Sequence, residues 1–276
     1  MTMFRSAAVR SASFLAALFL AFASHALAGD PLLPPPPPHV NGQVLWSIVH
    51  GQCVPDELAH RQPDPCAEVD LSGGVNRGFA VLKDKHGVAQ YLLMPTQDIT
   101  GIEDARVLGP RAVNYFAAAW KARTLVEARL GHPLPRQDMG VSVNSIYGRS
   151  QDLLHLHIDC LAPSTVAALS AAASRLGPHW SREPLILAGH PYLALALVGE
   201  DLKADPFTLL ARGVPGAASH MGAWTLVLAG ARGPGGAPIF VLLASEADPL
   251  LGRFASGEEL QDHDCAVAGV GAAPHS

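Results

Sequence analysis

Asn144, Arg149, Gln151, His155, His157 and Asp159 stand within one short stretch near the middle of the chain, and together they could do phosphoryl chemistry. Leu154, Leu156 and Ile158 alternate with the two histidines and the aspartate. That alternation predicts a strand over residues 153–160, because successive strand side chains point to opposite faces. One face would then pack, and the other would present two imidazoles and a carboxylate. A neutral imidazole attacks phosphorus when a neighbour holds its second ring nitrogen and fixes the tautomer. Amide side chains such as Asn144 and Gln151 could hold phosphate oxygens and stabilise charge that spreads in the transition state. The same imidazoles and carboxylate could instead ligate a metal ion, and histidines two apart on an exposed strand face also occur without any function. Spacing alone does not choose.

The elements needed to position this stretch are legible around it. Residues 78–82 and 90–94 flank a polar, Gly-bearing 83–87 and predict a β-hairpin, preceded by the apolar run 44–49. Val113, Phe116, Ala117, Trp120, Leu125 and Leu130 keep helical spacing up to Gly131 and Pro133, which predicts one helix over 113–130. Residues 139–144 read as a strand joined to 153–160 by the polar turn 145–151. Residues 165–176 read as a second helix, with Ser164 as its cap and Gly177 as its stop. Residues 224–229 and 239–244 flank a Gly/Pro-rich turn and predict another hairpin. The sum is an α+β fold with a largely antiparallel sheet flanked by helices, and the hairpins allow two related lobes.

The N-terminus carries Arg5 and Arg10, an apolar run over 13–23, and then Ala26-Leu27-Ala28, the plan of a secretory signal peptide over residues 1–28. The apolar run is about a dozen residues, short of the roughly 20 a membrane-spanning helix needs, although an uncleaved anchor is the alternative. Residues 29–39 include five consecutive prolines and predict an extended linker, with the folded domain over 40–276. Removing residues 1–28 takes away two of the 19 basic residues and none of the 24 acidic ones, leaving a net charge near −7. Such a surface excludes nucleic acid as a partner. Cys53, Cys66, Cys160 and Cys265 are an even set in a chain of exported type, so two disulfides are expected. The polar, loop-like 54–65 favours Cys53 with Cys66 and leaves Cys160 for Cys265. The first pair is too widely spaced to be a zinc-ligand pair.

Asn144, then Gln151 seven residues on, then Gln-x3-His-x-His, resembles the histidine-triad superfamily of nucleotide hydrolases and transferases. Within it the chain is similar to the CDP-diacylglycerol pyrophosphatase family. Supporting segments are Pro65-Cys66-Ala67-Glu68-Val69, Val81-Leu82-Lys83-Asp84, Gln90 to Thr96, Gly189-His190-x-Tyr192-Leu193-Ala194, His220-Met221-Gly222 and Gln261-Asp262-His263-x-Cys265. The resemblance implies a HIT-like fold and hydrolysis of CDP-diacylglycerol to CMP and phosphatidate through a nucleotidyl-histidine. In the register set by Asn144 and Gln151, His157 takes the nucleophile's place, His155 the first histidine's, and Asp159 the third, where the superfamily pattern has histidine. A second register, with Leu153 in first place, makes His155 the nucleophile. Catalytic roles are expected for His157, His155, Gln151 and Asn144. Substrate contacts are expected from Lys83, Asp159, Arg149, His190 and His220, with Lys83 neutralising the pyrophosphate and Asp159 also readable as a buried polar partner near Cys160. His263 is a weaker candidate. No metal or other cofactor is required by this chemistry. The nucleotide-lipid substrate implies contact with a membrane surface, in the periplasm or cell envelope. Two other readings stay open: a broader nucleotidyl hydrolase or CMP transferase, and a non-catalytic periplasmic metal binder using His155, His157, Asp159 and one more histidine.

Overall fold

The computed structural model describes Met1 and residues 33–269. The signal-peptide reading of 1–28 and the first part of the linker lie outside the described residues. Nine strands form one sheet: β1 (Glu68–Asp70), β2 (Phe79–Lys83), β3 (Tyr91–Pro95), β4 (Met139–Val143), β5 (Leu156–Cys160), β6 (Leu185–Leu187), β7 (His190–Val198), β8 (Trp224–Arg232) and β9 (Pro238–Glu246). Their order is β1-β2-β3-β5-β4-β8-β9-β7-β6, and every neighbouring pair is antiparallel. Both predicted hairpins are present, and the sheet runs unbroken through them within one compact unit. Short helices surround it: α1 (Val44–Ile48), continued by a π turn (Val49–Cys53) into α2 (Val54–His60), then α3 (Tyr115–Ala122), α4 (Thr124–Leu130), α5 (Pro163–Ala172) and α6 (Pro206–Gly213).

Several local expectations change. Residues 54–65, expected as loop, contain α2. The helix expected over 113–130 is two helices. At the break the Arg123 guanidinium donates to the Trp120 carbonyl at 2.7 Å, the acceptor that the Thr124 N–H would use in an unbroken helix. Helix α5 begins on Pro163 after Ala162, so Ser164 is no cap. Strand β5 starts at Leu156, which leaves His155 just before it. Strand β5 also sits inside the sheet between β3 and β4, and His155, His157 and Asp159 are all buried, so the histidine face is not an open surface.

Register decides what each face does, because directly opposed residues in antiparallel strands share a face. Leu92 and Ser142 lie opposite His157 in β3 and β4, and Val227 lies opposite Ser142 in β8. The His157 face therefore carries two apolar clusters. One gathers Leu45, Val49, Val54, Ala80, Leu92 and Met94 under α1 and α2, and the other Leu169, Tyr192, Val227, Val241 and Leu243 under α5. Polar Ser142, Asn144 and His157 fall between them, buried but not part of either. On the opposite face Trp120 of α3 meets Phe240 of β9 edge-on, and Phe116 meets Phe207 of α6. Aromatic pairs of this kind add to simple area burial.

The cysteines pair as expected, Cys53 with Cys66 and Cys160 with Cys265. The second bridge joins β5 to the C-terminal segment across 105 residues of chain. Closing a loop of that length lowers the entropy of the unfolded chain and contributes about 4 to 5 kcal/mol. Replacing both Cys160 and Cys265 with Ala is expected to lower the unfolding free energy by that order, read from urea denaturation under oxidising conditions, with a smaller loss for the Cys53–Cys66 pair. Among the described residues no helix is long and apolar enough to cross a membrane.

Candidate active site

A cavity of about 530 Å³ opens on the His157 face, between the α1 helix and the β2–β3 hairpin. One end is apolar, lined by Val44, Leu45, Ile48, Pro65, Leu82 and Leu92. The other is polar, lined by Lys83, Asn144, Gln151, His155, His157 and Glu258. This volume is in the range that takes one small organic molecule with a polar head.

The C-terminal segment completes the polar end. Gln261 donates from its amide to the carbonyls of Gly140 and His157 and accepts from Ser142, which fastens residues 257–263 along β4 and β5. Gly257 is required at the closest approach, since a Cβ there would lie 2.8 Å from both Thr225 Oγ1 and Val227 Cγ2. Glu258 follows, and its carboxylate lies 3.0 Å from His157 Nδ1. Asn144 donates to the other Glu258 oxygen at 2.6 Å, while its own Oδ1 accepts from Gly257 N and Ser256 Oγ. Gln90 Nε2 also lies 3.1 Å from His157 Nδ1, and Gln90 Oε1 has no partner.

His157 is 5% exposed, and burial, reinforced by neighbouring His155, holds its pKa well below the ordinary histidine value. Being neutral, the ring makes no ion pair with Glu258: protonated at Nδ1 it faces the Glu258 carboxylate, and protonated at Nε2 it accepts from the Gln90 amide. The Nδ1-protonated tautomer leaves the Nε2 lone pair uncommitted, and Nε2 is buried with no hydrogen-bond partner. As Nε2 gave up its electron pair the ring would become cationic, and Glu258 stands where that charge would appear. His155 lies edge-on to His157 with ring centroids 4.9 Å apart. Burial lowers its pKa too, and its Nδ1 donates to the Leu153 carbonyl at 2.6 Å. The neighbour expected to hold the nucleophile's second ring nitrogen is a backbone carbonyl for His155 and a carboxylate for the Nδ1-protonated His157.

The other predicted residues divide. Gln151 lines the cavity and accepts from the Leu45 N–H through Oε1, so its amide nitrogen remains for a ligand. Asn144 has both ends of its amide engaged with the 256–258 segment and acts as a brace for Glu258 rather than as a phosphate ligand. Lys83 lines the cavity, but its Nζ donates to the carbonyls of Asp84 and Gly87, and burial followed by repulsion from Arg129 lowers its pKa. Asp159 is fully buried outside the cavity. It accepts from His263 Nδ1 at 2.7 Å and from the Cys160 N–H, which is the buried-partner alternative. That hydrogen bond raises the His263 pKa, and His263 Nε2 stands 3.9 Å from Glu258. Arg149 pairs with Glu103 at 2.7 Å and with Asp152, away from the cavity. His190 pairs with Glu259, and His220 with Glu246, both outside it. Three expected substrate contacts, Arg149, His190 and His220, are thus paired with carboxylates and do not line the cavity. Among the described residues, the one group of His, Cys, Asp and Glu close enough to share an ion is Asp159, Cys160 and Cys265, and both sulfurs are consumed in the disulfide.

Glu258 and Gln90 were missed by sequence reasoning. Gln90 sat inside a matched strand segment. Glu258 stands three residues before Gln261-Asp262-His263 with nothing in its spacing to tie it to a histidine about a hundred residues earlier.

Two uncharged imidazoles on the floor of a cavity, one beside a braced carboxylate, fit a hydrolase. Within that class the relationship is specific. Residues 40–269 match the CDP-diacylglycerol pyrophosphatase family, and the chain belongs to it. The CDP-diacylglycerol pyrophosphatase of Yersinia pestis is 42% identical over 228 residues, covering 82% of this chain and 85% of the relative.

Proposed function

We propose that the protein hydrolyses CDP-diacylglycerol to CMP and phosphatidate in two displacements at the cytidylyl phosphorus. His157 Nε2 forms a bond to that phosphorus while the bond to the bridging oxygen breaks, and phosphatidate leaves with the electron pair. Water then attacks the same phosphorus, the nitrogen–phosphorus bond breaks, and CMP departs. Glu258 offsets the imidazolium charge of the intermediate, and the free amide of Gln151 holds a phosphate oxygen. The observation that carries this reading is the neutral imidazole beside a carboxylate, on the wall of the cavity, whose second nitrogen has no hydrogen-bond partner. Asn144, Gln151, His155 and His157 at their spacing support a place among the histidine-triad proteins and the HIT-like fold. The paired cysteines and the export-type N-terminus support work in the periplasm or cell envelope.

One observation favours a second assignment: the Leu153 carbonyl fixes the tautomer of His155 as the alternative register requires, making His155 the attacking group. Incubation with CDP-diacylglycerol in H₂¹⁸O tests the function itself. The label is expected in CMP and not in phosphatidate; label in phosphatidate would place the attack on the other phosphorus and remove the nucleotidyl-histidine. CDP-alcohols and dinucleoside polyphosphates assayed alongside are expected to be poorer substrates, whereas equal turnover would favour a broader nucleotidyl hydrolase.

A further inference from the structure

We infer that residues 249–254 form the element through which this enzyme seats on a lipid surface, with Leu250, Leu251 and Phe254 entering the apolar layer. This rests on the reading of the cavity as the site of a lipid's nucleotide head. The three side chains are 76%, 72% and 50% exposed, and among the described residues no other stretch of five turns three large apolar side chains outward. The tip is a closed turn, not a frayed strand. Asp248 and Arg253 exchange backbone hydrogen bonds, their side chains pair at 2.9 Å, and Gly252 takes a left-handed conformation. Little ordering entropy would be lost when such a tip met a partner.

Its place in the fold indicates the partner. The Phe254 and Ala255 carbonyls lie 3.0 and 3.2 Å from where a Cβ on Gly148 would stand, and Gly148 lines the cavity. The Ser145 N–H donates to Ala255, so the apolar tip stands at the cavity's rim and leads within four residues to Glu258. The N-terminal chain joins the fold beside the same rim. Tyr147 donates to the Pro34 carbonyl at 2.9 Å, with 33 residues upstream, including the apolar run 13–23. A cavity of about 530 Å³ takes one head group and leaves two acyl chains outside it. Water rejects those chains, so an apolar phase must meet the rim while the head group is inside. A bilayer provides that phase, and a loop with exposed leucines and a phenylalanine can enter it.

The test uses the full chain with Leu250→Ser and Leu251→Ser combined. Hydrolysis of CDP-diacylglycerol in phosphatidylcholine vesicles is compared with hydrolysis of CDP-glycerol free in solution. The vesicle rate is expected to fall roughly tenfold or more, with the soluble rate unchanged. Equal loss on both substrates, or no loss on either, overturns the proposal. Leu250→Trp gives a readout independent of turnover: its emission is expected to move to shorter wavelength with pure phosphatidylcholine vesicles, and an unmoved emission overturns the proposal. Should the parent protein hydrolyse neither substrate, the functional reading fails by itself, and the Leu250→Trp emission still decides the lipid contact.

Discussion

His157→Ala is expected to lower CMP release from CDP-diacylglycerol by at least roughly a thousandfold while the thermal midpoint moves little. The size follows from the role: without the ring there is no atom to accept the cytidylyl group, and the cavity retains only binding. The small stability change follows from the site, since the ring borders the cavity and Glu258, which loses it, is still held by Asn144 and Gln90. His155→Ala separates the two registers. If His157 attacks, the His155 variant keeps measurable turnover and still forms an acid-labile, base-stable phosphoramidate, mapped by mass spectrometry to residue 157. A phosphoramidate found on residue 155, with turnover retained in His157→Ala, would move the nucleophile one position along the face. Neither variant trapping a phosphoramidate, with turnover intact in both, would remove covalent catalysis altogether.

Glu258→Gln is expected to lower kcat by roughly a hundredfold to a thousandfold with a much smaller change in KM. The variant keeps the size of the side chain but removes the charge that faces His157 Nδ1 and turns one acceptor oxygen into a donor. The loss falls on kcat because that charge matters only once the ring becomes cationic, in the transition state and the intermediate. A structural role alone would move the midpoint of unfolding and spread the loss between kcat and KM. The acid limb of kcat/KM gives a second check. An imidazole attacks only when neutral, and burial holds His157 well below the ordinary value of 6.5. Activity is therefore kept as pH falls through 6.5 and lost only as pH passes the depressed value. An acid limb centred at or above 6.5 would mean that the ring titrates as an ordinary exposed histidine.

The strands that carry the chemistry were readable from residue types, because alternation of Leu154, Leu156 and Ile158 with polar partners is a local pattern and strand geometry obeys it. The two hairpins were readable for the same reason; the disulfide pairing agrees with expectation although the 54–65 segment, taken as the loop that favoured it, contains α2. Short elements were not. Strand β6 has three residues and α6 eight, too few to establish a period, and the split of α3 from α4 depends on one arginine reaching a carbonyl a turn back.

At the site, residue identity singled out His155, His157, Asn144 and Gln151, all within one local stretch. The roles of Arg149, His190, His220 and Asp159 could not be read that way, because each is set by a carboxylate or imidazole distant in the chain: Glu103, Glu259, Glu246 and His263. Glu258 lies beyond any periodicity, since a contact spanning about a hundred residues exists only once the Cys160–Cys265 bridge and Gln261 lay the C-terminal segment along β5. Short-range pattern thus reveals which side chains are able to react. Which nitrogen is left without a partner, and which carboxylate faces the other, is settled by packing of remote segments into one low-dielectric pocket.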